Sequence, residues 1–202
     1  MKAALWRGGL LLVAIALNGC ALIAPQVTEP DQAAWAERQA AYSAIQQWTL
    51  RARMATAVLG WSGSLQWQQQ GPQLQLNVSG PLGIGGFRAE GTVAWVEVIT
   101  SDQQRLQGDP EILFHEVVGW PFPLRHMRYW ARGLTVPDLP ATPLLDNGGR
   151  LRELQQAGWH LRYTEYKRYG DYEFPRRMLL DNGELTIRIV IDDWQNIGLA
   201  AS

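Results

Sequence analysis

The stretch LQWQQQGPQLQLNV, residues 65–78, decides the fold class. Leu65 and Trp67 alternate with Gln66 and Gln68, and Leu74, Leu76 and Val78 alternate with Gln73, Gln75 and Asn77. A period of two puts apolar side chains on one face of a strand and amides on the other. Gln70-Gly71-Pro72 is a turn signal between the two runs. The stretch therefore predicts an antiparallel hairpin with one dry face and one wet face.

The same period extends on both sides. Upstream, Leu50, Ala52, Met54, Ala57 and Val58 predict a first strand, interrupted by Gly60 and Gly63. Before it, Asp31 is a candidate N-cap for a helix reaching about Trp48, because Trp35, Tyr42, Ile45 and Trp48 recur at helical spacing. Downstream, Phe87 to Glu90 and Thr92 to Thr100 predict a strand pair about Gly91, and Asp102-Gln103-Gln104 the next turn. Pro110 after Asp109 opens a helix, and Ile112, Leu113, Val117 and Val118 carry it to Gly119. Leu124 to Arg132 predicts a second short helix ending at Gly133, and Thr135 to Pro143 a proline-rich surface loop. Strands are predicted again over Leu151 to Gln156, Trp159 to Tyr166, Arg176 to Leu180 and Leu185 to Ile191, with Asp181-Asn182-Gly183 as a hairpin turn. The order reads as α+β: a curved antiparallel sheet covered on one face by helices.

The first nineteen residues stand apart. Lys2 and Arg7 precede an apolar run from Leu10 to Leu17, which is too short for the roughly 20 apolar residues that span a bilayer. Leu17-Asn18-Gly19-Cys20 resembles a lipobox, with cleavage just before Cys20. Cys20 is the only cysteine in the chain, so no internal disulfide can use it, and lipid attachment at Cys20 accounts for it. An ordinary signal peptide that happens to contain a cysteine is the alternative. The predicted layout is a lipoprotein signal peptide over 1–19, a lipidated tether over 20–30 containing Pro25 and Pro30, and a single domain over 31–202.

Composition narrows the partners. Removing Lys2 and Arg7 from the 18 Lys and Arg leaves 16 against 19 Asp and Glu, a net charge of −3. That balance gives no reason to expect nucleic acid, nor electrostatic attachment to an anionic membrane surface. Of ten tryptophans, nine remain after cleavage; their size and N–H suit a wide apolar interior or a contact surface better than a sealed core.

Patterns for catalysis are not found. His115, His126 and His160 are scattered, and His115-Glu116 lacks a second histidine at the zincin spacing. His160 reads as structural, and Asp192-Asp193 as a solvated strand end. Gly80-Pro81-Leu82-Gly83-Ile84-Gly85-Gly86 matches neither a dinucleotide fingerprint nor a phosphate loop, and no Gly-x-Ser-x-Gly elbow occurs. An enzyme is therefore unsupported, and no cofactor or metal is expected. The glycine-rich loop does place Leu82 and Ile84 where neighbouring side chains cannot cover them. Leu82 either fills a local gap or dips into lipid, where full burial is worth about 1.5–3 kcal/mol.

Several short motifs, taken in order, resemble the LolB family of outer-membrane lipoproteins. They are Leu65-Gln66-Trp67-Gln68-Gln69, Gly80-Pro81-Leu82-Gly83, Gly119-Trp120-Pro121-Phe122-Pro123-Leu124 and Trp130-Ala131-Arg132-Gly133. Gln155-Gln156-Ala157-Gly158-Trp159, Phe174-Pro175-Arg176-Arg177 and Ile191-Asp192-Asp193-Trp194 continue the series. The resemblance implies an incomplete β-barrel closed by short helices around an apolar cavity. It also implies a monomeric, non-enzymatic receptor without cofactor, which accepts triacylated lipoproteins from the periplasmic carrier LolA and inserts them into outer-membrane lipid. On that resemblance Trp67, Trp130 and Trp159 line the acyl-chain cavity, Leu82 is the membrane-insertion residue and Cys20 the anchor. Ala21 after the cysteine fits outer-membrane sorting, while the glycines after Leu82 depart from the pattern.

Physical chemistry is consistent with such a route. Exposing about 40 methylenes to water costs roughly 30 kcal/mol at ~0.8 kcal/mol each, whereas non-covalent protein affinities saturate near about −18 to −21 kcal/mol. Transfer from protein to bilayer therefore runs downhill without ATP. Two other readings remain open on the residues alone: a lipid-anchored periplasmic binding protein for another small apolar ligand, and a structural envelope protein with a solid tryptophan core.

Overall fold

The computed structural model describes residues 32–56, 59–81 and 86–199. Cys20, Asp31, Ala57, Val58, Leu82 and Ile84, all singled out above, lie outside the described residues.

The helix α1 (Gln32–Ser43) is followed by six strands, β1 (Ile45–Thr56), β2 (Trp61–Gln70), β3 (Gln73–Ser79), β4 (Phe87–Thr92), β5 (Val96–Thr100) and β6 (Arg105–Gly108). Two helices, α2 (Pro110–Val118) and α3 (Leu124–Trp130), precede the remaining strands β7 (Ala141–Leu145), β8 (Leu151–Gln156), β9 (Trp159–Tyr169), β10 (Tyr172–Asp181) and β11 (Thr186–Leu199). All eleven strands form one sheet in the order β6-β5-β4-β3-β2-β1-β11-β10-β9-β8-β7. Every neighbouring pair is antiparallel. Strands β6 and β7 are the two unpaired edges, so the sheet is an unclosed, curved half-barrel. Helices α2 and α3 connect those two edges in the chain and pack across the concave face. The fold is the curved antiparallel sheet with helices that the residue pattern predicts, in the incomplete-barrel form that the family resemblance implies.

The residue 65–78 stretch folds as a hairpin of β2 and β3. Leu65, Trp67, Leu74, Leu76 and Val78 are buried, and the glutamines between them face outward. The register aligns Leu76, Trp67, Leu50 and Trp194 across β3, β2, β1 and β11, one apolar row spanning the middle of the sheet. Such cross-strand rows stabilise a sheet because each side chain packs on its neighbours as well as leaving water.

Three expectations are corrected. The first helix ends at Ser43, not near Trp48. Ser43 Oγ turns back to the carbonyls of Gln39 and Ala40 (2.6 and 3.1 Å), and Ile45 and Trp48 then lie in β1, paired with both β2 and β11. Two strand ladders outweigh one more helical turn. The β4–β5 turn sits at Val93 to Trp95 instead of Gly91; Gly91 stays in β4 with φ +145°, where a Cβ would come within 2.3 Å of the Trp95 carbonyl. The proline-rich stretch contains β7, which tolerates Pro143 because it is an edge strand with one side unpaired.

Helix α2 follows its sequence signals closely. Asp109 caps it by accepting from the Glu111 and Ile112 amides (2.9 and 3.4 Å), Pro110 occupies its first turn, and Gly119 closes it at φ +80°. Arg125 pairs with both Asp109 and Glu111 and donates to the Val93 carbonyl at 3.0 Å, fastening α3 to the start of α2 and to the β4–β5 turn.

Candidate apolar binding site

The register sorts the turns into two ends. The β1–β2 turn, the β3–β4 connection and the β5–β6 turn lie at one end; the β2–β3 and β4–β5 turns lie at the other. At the first end, between the sheet and α2, is an apolar hollow. Trp61 of β2, Phe87 of β4, Phe114 of α2, and Trp120 and Phe122 of the α2–α3 connection border it, with Met54 of β1 below.

The local sequence shapes this corner. Gly63 lacks a side chain where a Cβ would fall 2.5 Å from the Ser79 carbonyl and 2.7 Å from the Trp61 ring, so the indole folds down over its own strand. Trp61 then meets Trp120 edge-on at 5.5 Å, Trp120 meets Phe122 at 5.8 Å, and Phe87 meets Phe114 at 4.9 Å. The Trp120 indole N–H is sealed from solvent and unpartnered. An unpaired buried donor costs free energy, so at Trp120 this wall is held by ring packing without a hydrogen bond. In this state the cavity amounts to about 20 Å³, room for about one water.

Trp67 and Trp130 are held differently. Trp67 is fully buried in β2; its N–H donates to Gln69 Oε1 at 3.0 Å, and its ring lies 4.9 Å from Trp48. Trp130 is fully buried at the end of α3, and its N–H donates to Gln156 Oε1 at 3.0 Å. Gln156 also accepts from the Val136 amide (2.8 Å) and donates to the carbonyls of Val136 and Leu139 (2.9 and 3.2 Å). The buried amide thus uses its full bonding capacity. Trp159 opens β9 opposite Gln156 and borders an open groove at the first end of the sheet. Trp130 and Trp159 therefore share Gln156 as a neighbour, while Trp67 belongs to a cluster with Trp48 and Trp194. None of the three borders the hollow beneath α2. Of the residues that border it, the sequence patterns mark Met54, Leu65, Leu76, Val78, Phe87 and Val118 only as apolar strand or helix positions, and Trp120 and Phe122 only as parts of the Gly119 to Leu124 motif; Trp61 and Phe114 carry no signal of their own.

The histidines and acids make no metal centre: among the described residues no group of three or more His, Cys, Asp or Glu side chains is arranged to hold an ion. His160 pairs with Glu153 at 2.9 Å, and Asp192 pairs with Arg53 at 2.7 Å on the outer face. His126 packs 5.1 Å from Trp130, with its Nδ1 buried and unpartnered. Burial, with help from Arg125, holds its pKa below the ordinary value against the pull of Glu111. Arg132, buried beneath the α1–β1 corner, donates to the carbonyls of Arg128, Tyr42 and Ile45 at 2.8, 2.8 and 2.7 Å. Burial first, and the nearby Arg128 second, bring its pKa down to about 10. The site is thus a place for grease, with no group set up for bond-making chemistry among the described residues.

Comparison with known proteins gives a consistent result. The family model described as outer membrane lipoprotein LolB matches residues 46–194. A protein named outer-membrane lipoprotein LolB from Nitrosococcus oceani is 34% identical over 191 residues, covering 92% of this chain and 95% of its own. Its namesake from Stutzerimonas stutzeri is 33% identical over 189 residues, covering 91% and 92%. The one from Pseudomonas aeruginosa is 34% identical over 185 residues, covering 89% and 90%.

Proposed function

The chain belongs to the LolB family of outer-membrane lipoproteins, and from that premise we propose that it accepts acylated lipoproteins from the periplasmic carrier LolA and delivers them to outer-membrane lipid. Cys20 carries the anchor in this reading. Once α2 has lifted, acyl chains lie along the concave wall to which Trp67, Trp130 and Trp159 belong, and Leu82 enters the bilayer.

One observation carries the proposal: the hollow beneath α2 is walled by apolar side chains and sits on the concave face of an unclosed sheet. At about 20 Å³ it admits no acyl chain as it stands. Loading therefore requires α2 and the Gly119 to Pro123 connection to lift from Trp61 and Phe87. The rings that would part are joined by packing without a hydrogen bond at Trp120. The apolar area that lifting bares is covered again by the incoming chain, since burial is non-directional and scales with area. The receptor then needs to bind cargo more tightly than the carrier does and less tightly than a bilayer.

Leu59, 52% exposed in the β1–β2 turn, lies at the same end as the β3–β4 connection that carries Leu82. An exposed leucine at this end supports it as the one that faces lipid. The test is handover: carrier loaded with a triacylated lipoprotein is mixed with the purified mature chain, and the cargo is followed. The proposal expects transfer without ATP, and expects Leu82→Glu to accept cargo yet insert it poorly. Cargo that stays on the carrier contradicts the function, and normal insertion by Leu82→Glu removes the loop role.

A further inference from the structure

The end of the sheet away from that loop holds a groove of about 420 Å³ between the β1–β2–β3 corner and the end of α3. Arg128 and Arg132 reach into it, beside Gln46, Gln69, Trp48 and Pro72. Among the described residues no carboxylate lines it. Arg132 uses Nε and Nη1 to tie the two helix ends, as described above, which leaves Nη2 without a hydrogen bond among the described residues. The other ionisable groups that act on Arg132 are Arg128 and Tyr129, neither of them a carboxylate. Arg128 lies 4.9 Å over the Tyr129 ring and donates to its hydroxyl at 3.2 Å, again with no acid. Among the described residues two guanidinium groups thus share one groove with no carboxylate lining it, an arrangement suited to an oxyanion, because partly desolvated cations gain most from a bound carboxylate.

We infer that this groove binds an acidic segment of a soluble protein partner, with an Asp or Glu carboxylate held between Arg128 and Arg132 Nη2. The walls favour a polypeptide over a free ion: Trp48 and Pro72 offer apolar contact, and Gln46 and Gln69 are amides suited to a backbone. Trp95 lies on the same rim, in the β4–β5 turn, and is 59% exposed. An exposed indole at the same end as a cationic groove fits the composition of an interaction hot spot. The groove also faces away from the end assigned to lipid under the proposed function, on which this choice of a soluble partner rests. A lipid phosphate would need the opposite orientation.

Calorimetry on the mature chain in a non-ionic detergent, with a hexaglutamate peptide as probe, tests the site. The expected result is saturable binding that weakens with added salt. Arg128→Gln should weaken it about tenfold, as for one charge-assisted hydrogen bond, while Arg128→Lys keeps most of it. Absence of binding overturns the inference, as does equal binding by Arg128→Gln at an unchanged melting temperature. Stronger competition by phosphatidylglycerol vesicles than by free peptide assigns the groove to lipid and also overturns it; inorganic phosphate competing at equal concentration would reduce it to a site for a free ion. In the handover assay Arg128→Glu should slow transfer, most at low salt. If the wild-type chain accepts no cargo yet binds the peptide through Arg128, the groove stands and the proposed function falls. If both chains accept cargo at the same rate, the function stands and the docking role falls.

Discussion

Two sets of tryptophans occupy the inner side of this sheet, and they are fixed by different means. Trp67 and Trp130 are locked by glutamine side chains, Gln69 and Gln156, whose own bonds run to the backbone. Trp61 and Trp120 meet edge-on beside a hollow, and the Trp120 N–H has no partner. Burying an indole with its hydrogen bond made gives one defined position; burying it on dispersion alone leaves the ring free to exchange neighbours. The first set reads as framework and the second as a surface that can part. Trp194 qualifies the contrast, since its N–H is also unpartnered, but Trp48 at 5.3 Å and Phe174 at 4.5 Å enclose its ring.

Substitutions break or sharpen this contrast. Trp130→Ala should have the largest effect, costing about 3–5 kcal/mol of stability in denaturant unfolding. It empties a fully buried site and strands Gln156. Gln156→Leu comes next, at about 1–3 kcal/mol, because the Val136 and Leu139 groups and the Trp130 N–H lose their partner together. Trp120→Ala should cost roughly 1–2 kcal/mol less than Trp130→Ala, since it removes an unsatisfied donor and enlarges a hollow that already exists. Unlike Trp130→Ala, it should raise the binding of a hydrophobic fluorescent probe. If the two alanine variants lose equal stability and bind equal probe, the division into framework and parting surface is wrong.

Acid titration gives a smaller effect. The folded chain holds His126 below its ordinary pKa of 6.5, whereas the unfolded chain takes up that proton near 6.5. The unfolded state therefore binds more protons in this window, and stability falls as pH drops from 6.5 toward the depressed value. His126→Gln should flatten that part of the stability–pH curve, read from melting temperatures; an unchanged slope assigns it to other groups. Smallest of all, Ile112→Ser on the exposed side of α2 should change stability by no more than about 0.5 kcal/mol.

Much of the fold was legible because its signals are local. The Gly71-Pro72 turn, the Asp109-Pro110 start and Gly119 end of α2, and the Asp181-Asn182-Gly183 turn each act within a few residues. The end of α1 was not legible, since Tyr42, Ile45 and Trp48 fit a helix as well as a strand. Pairing with β11, some 140 positions away, decides between them. Strand β7 was hidden by prolines that only an edge tolerates.

The site was harder to read. Its walls come from β1, β2, β3, β4, α2 and the connection after α2, so no single window shows Trp61, Phe87, Phe114 and Trp120 as one group. Gln156 looks like any strand glutamine until Trp130 and Val136, 26 and 20 positions distant, close around it. Gly63 was the one local hint. A glycine inside a strand marks close approach, and here it admits the Trp61 ring.

Hydrogen exchange on the mature chain, with and without a tripalmitoylated lipopeptide, tests the central claim most directly. The account predicts that the lipopeptide binds and alters amide protection in α2 and the Gly119 to Pro123 connection at least about tenfold, while the β1–β11 ladder and the amides around Gln156 stay unchanged. Binding that leaves α2 protection untouched, or no binding at all, would contradict it.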